Sequence, residues 1–315
     1  MQPVPTSELP VLWRTKLRST LPGVDHSEQV EHCLDRQLIG IGWGVPDLAD
    51  GAPIEEVLAA VENYSAEGWG KGSQNIRRFA NGTAIDDFVW TRDTFGRYLL
   101  GRITGHYRYD NSKDAKRVDV HHVRAVEWAP RELNDLEVPG RVIQAFSGPG
   151  ESWCRINDNA ARAFTPSLWA KLRGEPLPNL DVTAREVLTS HLDAYDVEDL
   201  VYVWLQVASG YIAMPRARRR DTPAYEFTMV HRRSGRRAIA QVKTGSARVN
   251  LSALAGAVVD DATDTFAYAT SGRYRGKLTL VTKVIADEEL LRFSRDHRAL
   301  LPGRVRTWFE LASDF

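Results

Sequence analysis

Short runs in which apolar and polar positions alternate dominate the first half of the chain: VLWRTKL (11–17), LIGIGWG (38–44), DDFVWTR (86–92), RYLLGRITG (97–105) and VHHVRAVEW (120–128). A period of two over runs this short predicts strands. Residues 54–65 (IEEVLAAVENYS) and 73–80 (SQNIRRFA) instead carry helical spacing. Strands with helices set into their loops predict a small β-barrel. The pattern fades over TPSLWAKLRGEPLPNLDVT (165–183), which is rich in proline and polar residues, so a linker is expected there between a unit at 1–164 and another at 184–315.

The second unit reads differently. Thr183 to Glu186 has the spacing of a capping box, and EDLVYVWLQVAS (198–209) is apolar on most faces, predicting a core helix over 197–209 that stops at Gly210 in a left-handed conformation. YEFTMVHR (225–232) and RAIAQVKTG (237–245) flank a turn at Ser234-Gly235, KLTLVTKVI (277–285) adds a strand, and DEELLRFSRDH (287–297) a closing helix. The order predicts an α/β sandwich around a mixed sheet, so the whole chain is of mixed α/β (α+β) class.

Composition narrows the function. With 315 residues and no apolar run near the ~20 that a bilayer span needs, a protein with no membrane segment is expected. The first twelve residues lack the pattern of a signal peptide, and Cys33 and Cys154 stand alone without ligand spacing, which points to the cytoplasm and away from disulfide or zinc frameworks. Acids and bases balance at 41 each, but between Met214 and Arg248 ten Lys/Arg face two acids, Asp221 and Glu226. A local basic stretch of this kind suits a phosphate-binding surface.

Glu198 on the core helix, Glu226 at the opening of one strand and Gln241-Val242-Lys243 in the next carry a specific resemblance. Over about 184–285 the chain resembles the PD-(D/E)XK nucleases and, in the Gln-x-Lys form, the Mrr-like restriction nucleases. That resemblance implies phosphodiester hydrolysis with Mg2+, for which Mn2+ can substitute. Glu226, Gln241 and Glu198 would be metal ligands, and Lys243 would orient the attacking water or offset developing charge. The spacing agrees on one point: positions 241 and 243 leave the same face of a strand. No Pro-Asp dipeptide precedes the strand, and Asp221 competes with Glu226 as first ligand.

Residues 10–150 carry a second resemblance, in IGIGWG (39–44), GWGKGSQNIRRFA (68–80), DDFVWTR, LGRITGHYRYD (100–110) and VRAVEW (123–128). This succession resembles the EVE-type domains of the PUA superfamily, which implies a reader of modified bases. Trp43 and Trp69, each flanked by glycines, with Tyr107, are candidates to stack on a base, beside Tyr109 and Trp90. Ser73, Lys71, Arg77 and Arg78, near a short helix start, are candidates to hold phosphates. Trp90, in an alternating strand, fits a core residue as well. The combined expectation is a modification-dependent endonuclease acting on double-stranded DNA that carries a modified base, modified cytosine first among them. It would dimerise to cut both strands. A nuclease core that only binds, and an enzyme of RNA, are the alternatives.

Overall fold

The computed structural model describes residues 9–64, 72–148, 151–177, 182–213, 227–258, 260–277 and 282–315. Two units emerge, Met1–Leu177 and Pro178–Phe315. Trp69, Lys71, Asp221 and Glu226, all singled out above, lie outside the described residues.

In the first unit, β1 (Leu12–Thr15), α1 (His26–Asp35), β2 (Leu38–Ile41), α2 (Ile54–Tyr64), α3 (Gly72–Asn81), β3 (Phe88–Arg92) and β4 (Tyr98–Tyr109) follow one another. Then come α4 (Lys113–Val118), β5 (His122–Trp128), α5 (Gly140–Ser147), β6 (Trp153–Ile156) and α6 (Asn159–Arg173). The strands form one six-stranded sheet in the order β2-β5-β4-β3-β1-β6. No closed barrel forms: among the described residues β2 and β6 are edges, each four residues long, and they do not pair. The expected barrel is therefore an open sheet. β1 runs parallel to β3 and antiparallel to β6, and the Asp87 carboxylate secures it by accepting from the Val11 amide and the Trp13 indole N–H.

The expected linker is also corrected, because residues 165–173 continue α6. Asp158 caps that helix through Ala161 N–H, and Gly174 ends it at φ +69. Pro166 sits inside, yet Phe164, Leu168 and Trp169 bury one face, with Trp169 edge-on to Phe88. Packing outweighs the lost hydrogen bond.

The second unit holds α7 (Ala184–Glu186), α8 (Ala194–Val207), β7 (Tyr211–Ala213), β8 (Phe227–His231), β9 (Arg237–Lys243), β10 (Val249–Asn250) and α9 (Leu251–Gly256). After them come β11 (Thr263–Ala269), β12 (Tyr274–Arg275), β13 (Thr282–Val284), α10 (Asp287–Asp296) and α11 (Gly303–Glu310). The capping box at Thr183 and Glu186 is present, but the helix it opens is one turn followed by a π turn at 187–191. A second box, Asp193 with Asp196, opens α8 three residues before the expected start. Gly210 takes φ +74, and Ser234-Gly235 turns the β8–β9 hairpin with Gly235 at φ +69. The main sheet is mixed, in the order β13-β11-β9-β8-β7, with β9, β11 and β13 parallel and β7 and β8 antiparallel.

Among the described residues no helix is long and apolar enough to cross a membrane.

Candidate functional site

The first unit contains a cavity of about 370 Å³, toward the small end of the range for small-molecule pockets. Its wall comes from the chain after β1 (Lys16 to Leu21), Gln29 of α1, the end of β2 through Gly44, and Asp119 to His121. Trp43 lies in this wall with φ +65, a left-handed conformation that disfavours a tryptophan.

Several groups hold Trp43 there. A Cβ on Gly42 would stand 2.7 Å from an Asp119 carboxylate oxygen, and one on Gly44 2.2 Å from His121 Nε2, so neither position has room for a side chain. Behind them His122, with 0% exposure, donates from Nε2 to the Trp43 carbonyl at 3.2 Å. Because a carbonyl only accepts, the other nitrogen, Nδ1, is left to accept from the Tyr107 hydroxyl at 2.9 Å. Burial pushes the His122 pKa down to about 3, so the ring stays neutral. Tyr107 reaches it through a β-bulge: the register passes from Ile103 opposite Val126 to Tyr107 opposite Arg124. The buried Arg124 fixes that bulge by donating to the carbonyls of Gly105, Phe79 and Ala80, the last two in the final turn of α3.

The wall carries two cations, Lys16 and Arg18, and two acceptor groups next to Trp43, Asp119 and His121. Asp119 is buried, in the left-handed region at φ +51, and accepts from the Ser19 hydroxyl at 2.5 Å. Burial raises its pKa in spite of that bond. His121 Nδ1 donates to the Asp110 carbonyl at 3.0 Å, which leaves Nε2 as a lone-pair acceptor packed close against Gly44, and burial lowers the pKa of the ring. Gln29 is committed to the frame, accepting from Ser19 N–H and donating to the Val118 carbonyl. An aromatic face with a carboxylate and an imidazole lone pair can hold a planar ligand that carries N–H donors.

The expected site residues fall in different places. Trp43 lines the cavity; Tyr107 does not, and acts through His122. Trp90 is in the core, and so is Tyr109, whose hydroxyl bonds the Val45 main chain. Ser73 lies in the first turn of α3, and the start of that helix abuts Trp43, since a Cβ on Gly72 would meet the indole at 3.1 Å. Arg77 pairs with Glu62 at 2.6 Å, while Arg78 pairs with Glu151 and donates to the Trp153 carbonyl. These two guanidiniums would have to exchange partners to reach phosphates. Ser19, Asp119, His121 and His122 were not anticipated. For the last three the signal lay in VDVHHV (118–123), where three titratable groups interrupt an apolar run.

In the second unit Gln241 is 2% exposed on β9, the middle strand of the main sheet. Ile239, Gln241 and Lys243 share one face by strand alternation; Ile239 and its neighbours Ala267 and Ala269 pack there on Leu251 and Leu254 of α9. Phe266, on the opposite face, meets Trp204 of α8 edge-on. Glu198 thus stands on the helix of one face and the Gln241/Lys243 pair on the other. Next to Glu198, α8 places Asp196 and Asp199 on the buried Arg304 of α11, which donates to both. Burial pushes Asp196 up to about 7 against the pull of Arg304, while the two carboxylates outweigh burial and raise the pKa of Arg304.

The model of one family, described as a domain of unknown function (DUF8426), matches residues 13–139. That span includes the cavity wall from Lys16 to His121, β2 to β5 and the Tyr107–His122–Trp43 chain. No curated protein and no solved structure matches the chain.

Proposed function

We propose that the chain is a modification-dependent DNA endonuclease, in which the first unit, as a PUA-like reader, takes an extrahelical modified base and the second, as a PD-(D/E)XK-type core, hydrolyses backbone nearby. The observation that carries the reading is the cavity with Trp43 held at positive φ beside Asp119 and His121. An extruded base needs an aromatic surface in place of its stacking neighbours, and polar groups for its edge. An acceptor such as the Asp119 carboxylate suits an exocyclic amino group, which cytosine, adenine and guanine carry and thymine lacks; the choice of a modified cytosine rests on the resemblance to modified-base readers.

For the second unit the support is the shared face of Gln241 and Lys243 on an interior strand. In this reading Gln241 contributes a neutral oxygen and Glu226 the negative charge, and the pair holds Mg2+ or Mn2+. When bound, such a cation polarises the phosphoryl oxygen and acidifies water. Lys243 orients the attacking water and offsets charge at the phosphorus. Glu198 is the weakest member of the set, because its helix packs on the opposite face. That placement favours, as a second reading, a unit that binds DNA without cutting it. Cleavage of both strands calls for a homodimer or sequential nicking.

The test is incubation of the full chain with duplexes carrying cytosine, 5-methylcytosine or 5-hydroxymethylcytosine, and with matched RNA, in Mg2+ or Mn2+. Cutting confined to modified DNA, lost in Lys243→Ala and in Trp43→Ala, is expected. Binding without cutting selects the second reading, and cutting confined to RNA overturns the DNA assignment.

A further inference from the structure

Beside the cavity mouth, residues 20–23 are all exposed, and Leu21 of this loop is both a wall residue and 54% exposed. Single exposed apolar side chains are ordinary; among the exposed large ones of the described residues, Leu21 is the one that lines the cavity. The loop that presents it is pre-set. Leu21-Pro22-Gly23-Val24 is a tight turn closed by Val24 N–H on the Leu21 carbonyl at 3.4 Å, with proline at its second position and Gly23 at φ +81 at its third, the pattern of a type II turn. Leu21 N–H donates to the Ser19 hydroxyl at 3.0 Å, and that same hydroxyl donates to Asp119 in the cavity wall. Both main-chain groups of Leu21 are thus committed and its side chain is left outside. Arg18 is exposed on the same loop and also lines the cavity.

We infer that Leu21 is the residue that enters the duplex, filling the gap that an extruded base leaves, while Arg18 meets the adjoining phosphate. This rests on the proposed reading of the cavity as a base pocket. An apolar wedge between base steps offsets the loss of stacking and keeps the extruded base from returning. The Ser19 hydroxyl ties wedge to pocket: the group that sets the Leu21 amide also orients the carboxylate offered to the base. Leu21 is a positioning residue, since it acts on the partner strand and the vacated space, not on the base in the cavity.

The experiment measures binding of the full chain to three fluorescent probes, each with its cytosine-only control: a matched duplex with one central 5-methylcytosine, the same duplex with an abasic site opposite that base, and the single strand. Extrusion is hardest in the first and already relieved in the other two. Leu21→Ala is expected to lose about tenfold on the matched duplex, and to stay within about twofold of wild type on the other two. Leu21→Phe should restore most of the matched-duplex affinity, and 2-aminopurine placed beside the 5-methylcytosine should brighten with wild type and not with Leu21→Ala. Equal loss on all three probes, or no loss on the matched duplex, overturns the wedge while leaving the pocket standing. A wild-type protein with no preference for 5-methylcytosine on any probe, and none lost in Trp43→Ala, overturns the pocket reading and the wedge with it.

Discussion

In the first unit the buried acid Asp119 faces a cavity, with one hydroxyl as its partner; in the second the buried acid Asp196 faces a guanidinium that also holds Asp199. Both carboxyls are pushed upward by burial, and for the same physical reason. The difference is in what completes them. Asp196 is closed off inside the fold by Arg304, so its polarity serves α8 and α11 packing. Asp119 keeps acceptor capacity at an accessible wall. A raised carboxyl pKa therefore does not mark a site by itself; an incomplete partner set beside an open volume does.

That contrast is open to attack at several points, the largest effect first. If the second unit cuts nucleic acid, Lys243→Ala should lower Mg2+-dependent cleavage by roughly 10²–10⁴, with duplex binding changed less than threefold, while Glu198→Ala should do less; equal losses would join the two faces of the sheet in one site. Arg304→Ala should destabilise the second unit by about 3–5 kcal/mol, because it strands a buried carboxylate, and calorimetry should show the first unit's transition unmoved. A lowering of both would contradict the division of roles. Trp43→Ala should cost about 1–3 kcal/mol of affinity for the modified duplex with little change in melting temperature. Tyr107→Phe leaves His122 Nδ1 buried without its donor, for about 1–3 kcal/mol of first-unit stability, and weakens base binding only through Trp43.

The pH dependence gives a further test. His122 titrates near 3 in the fold and near 6.5 unfolded, so the unfolded chain binds the extra proton between those values. The contribution of His122 to first-unit stability should be fully present above pH 7 and should be lost as pH falls from about 6.5 toward 3. His122→Gln should make that acid limb shallower, leaving the part that His26, His32 and His121 contribute. If the limb is unchanged, the neutral ring is not what fixes the Trp43 carbonyl.

Much of the fold was legible where pattern and packing agree. The helices at 54–64 and 72–81, the β8–β9 hairpin and α10 follow from spacing and turn chemistry, although α11 and not α10 is the last helix. Two features were not. Closure of the first sheet depends on whether two distant four-residue strands pair, and nothing local encodes that. α6 runs through Pro166 because Phe164, Leu168 and Trp169 find a buried surface that composition alone does not reveal. At the site, glycine on both sides of Trp43 was visible, but its cause was not, since the close approach to Asp119 and His121 joins residues some 75 apart in the chain. Gln241 and Lys243 share a face as their spacing required, whereas the helix carrying Glu198 packs by a buried stripe that a list of acids does not foresee.

The placement of β1 has a consequence for the order in which the molecule is made. Leu12 has Phe88 on one side and Ile156 on the other, so the strand synthesised first occupies an interior place that only the last strand of its sheet completes. A ribosome must release β6 before that place is enclosed, and until then β1 presents an open edge to any other chain nearby. The stretch 13–139 that matches the family lacks β6. Expressed alone, that stretch would leave β1 as an unpaired edge of its sheet.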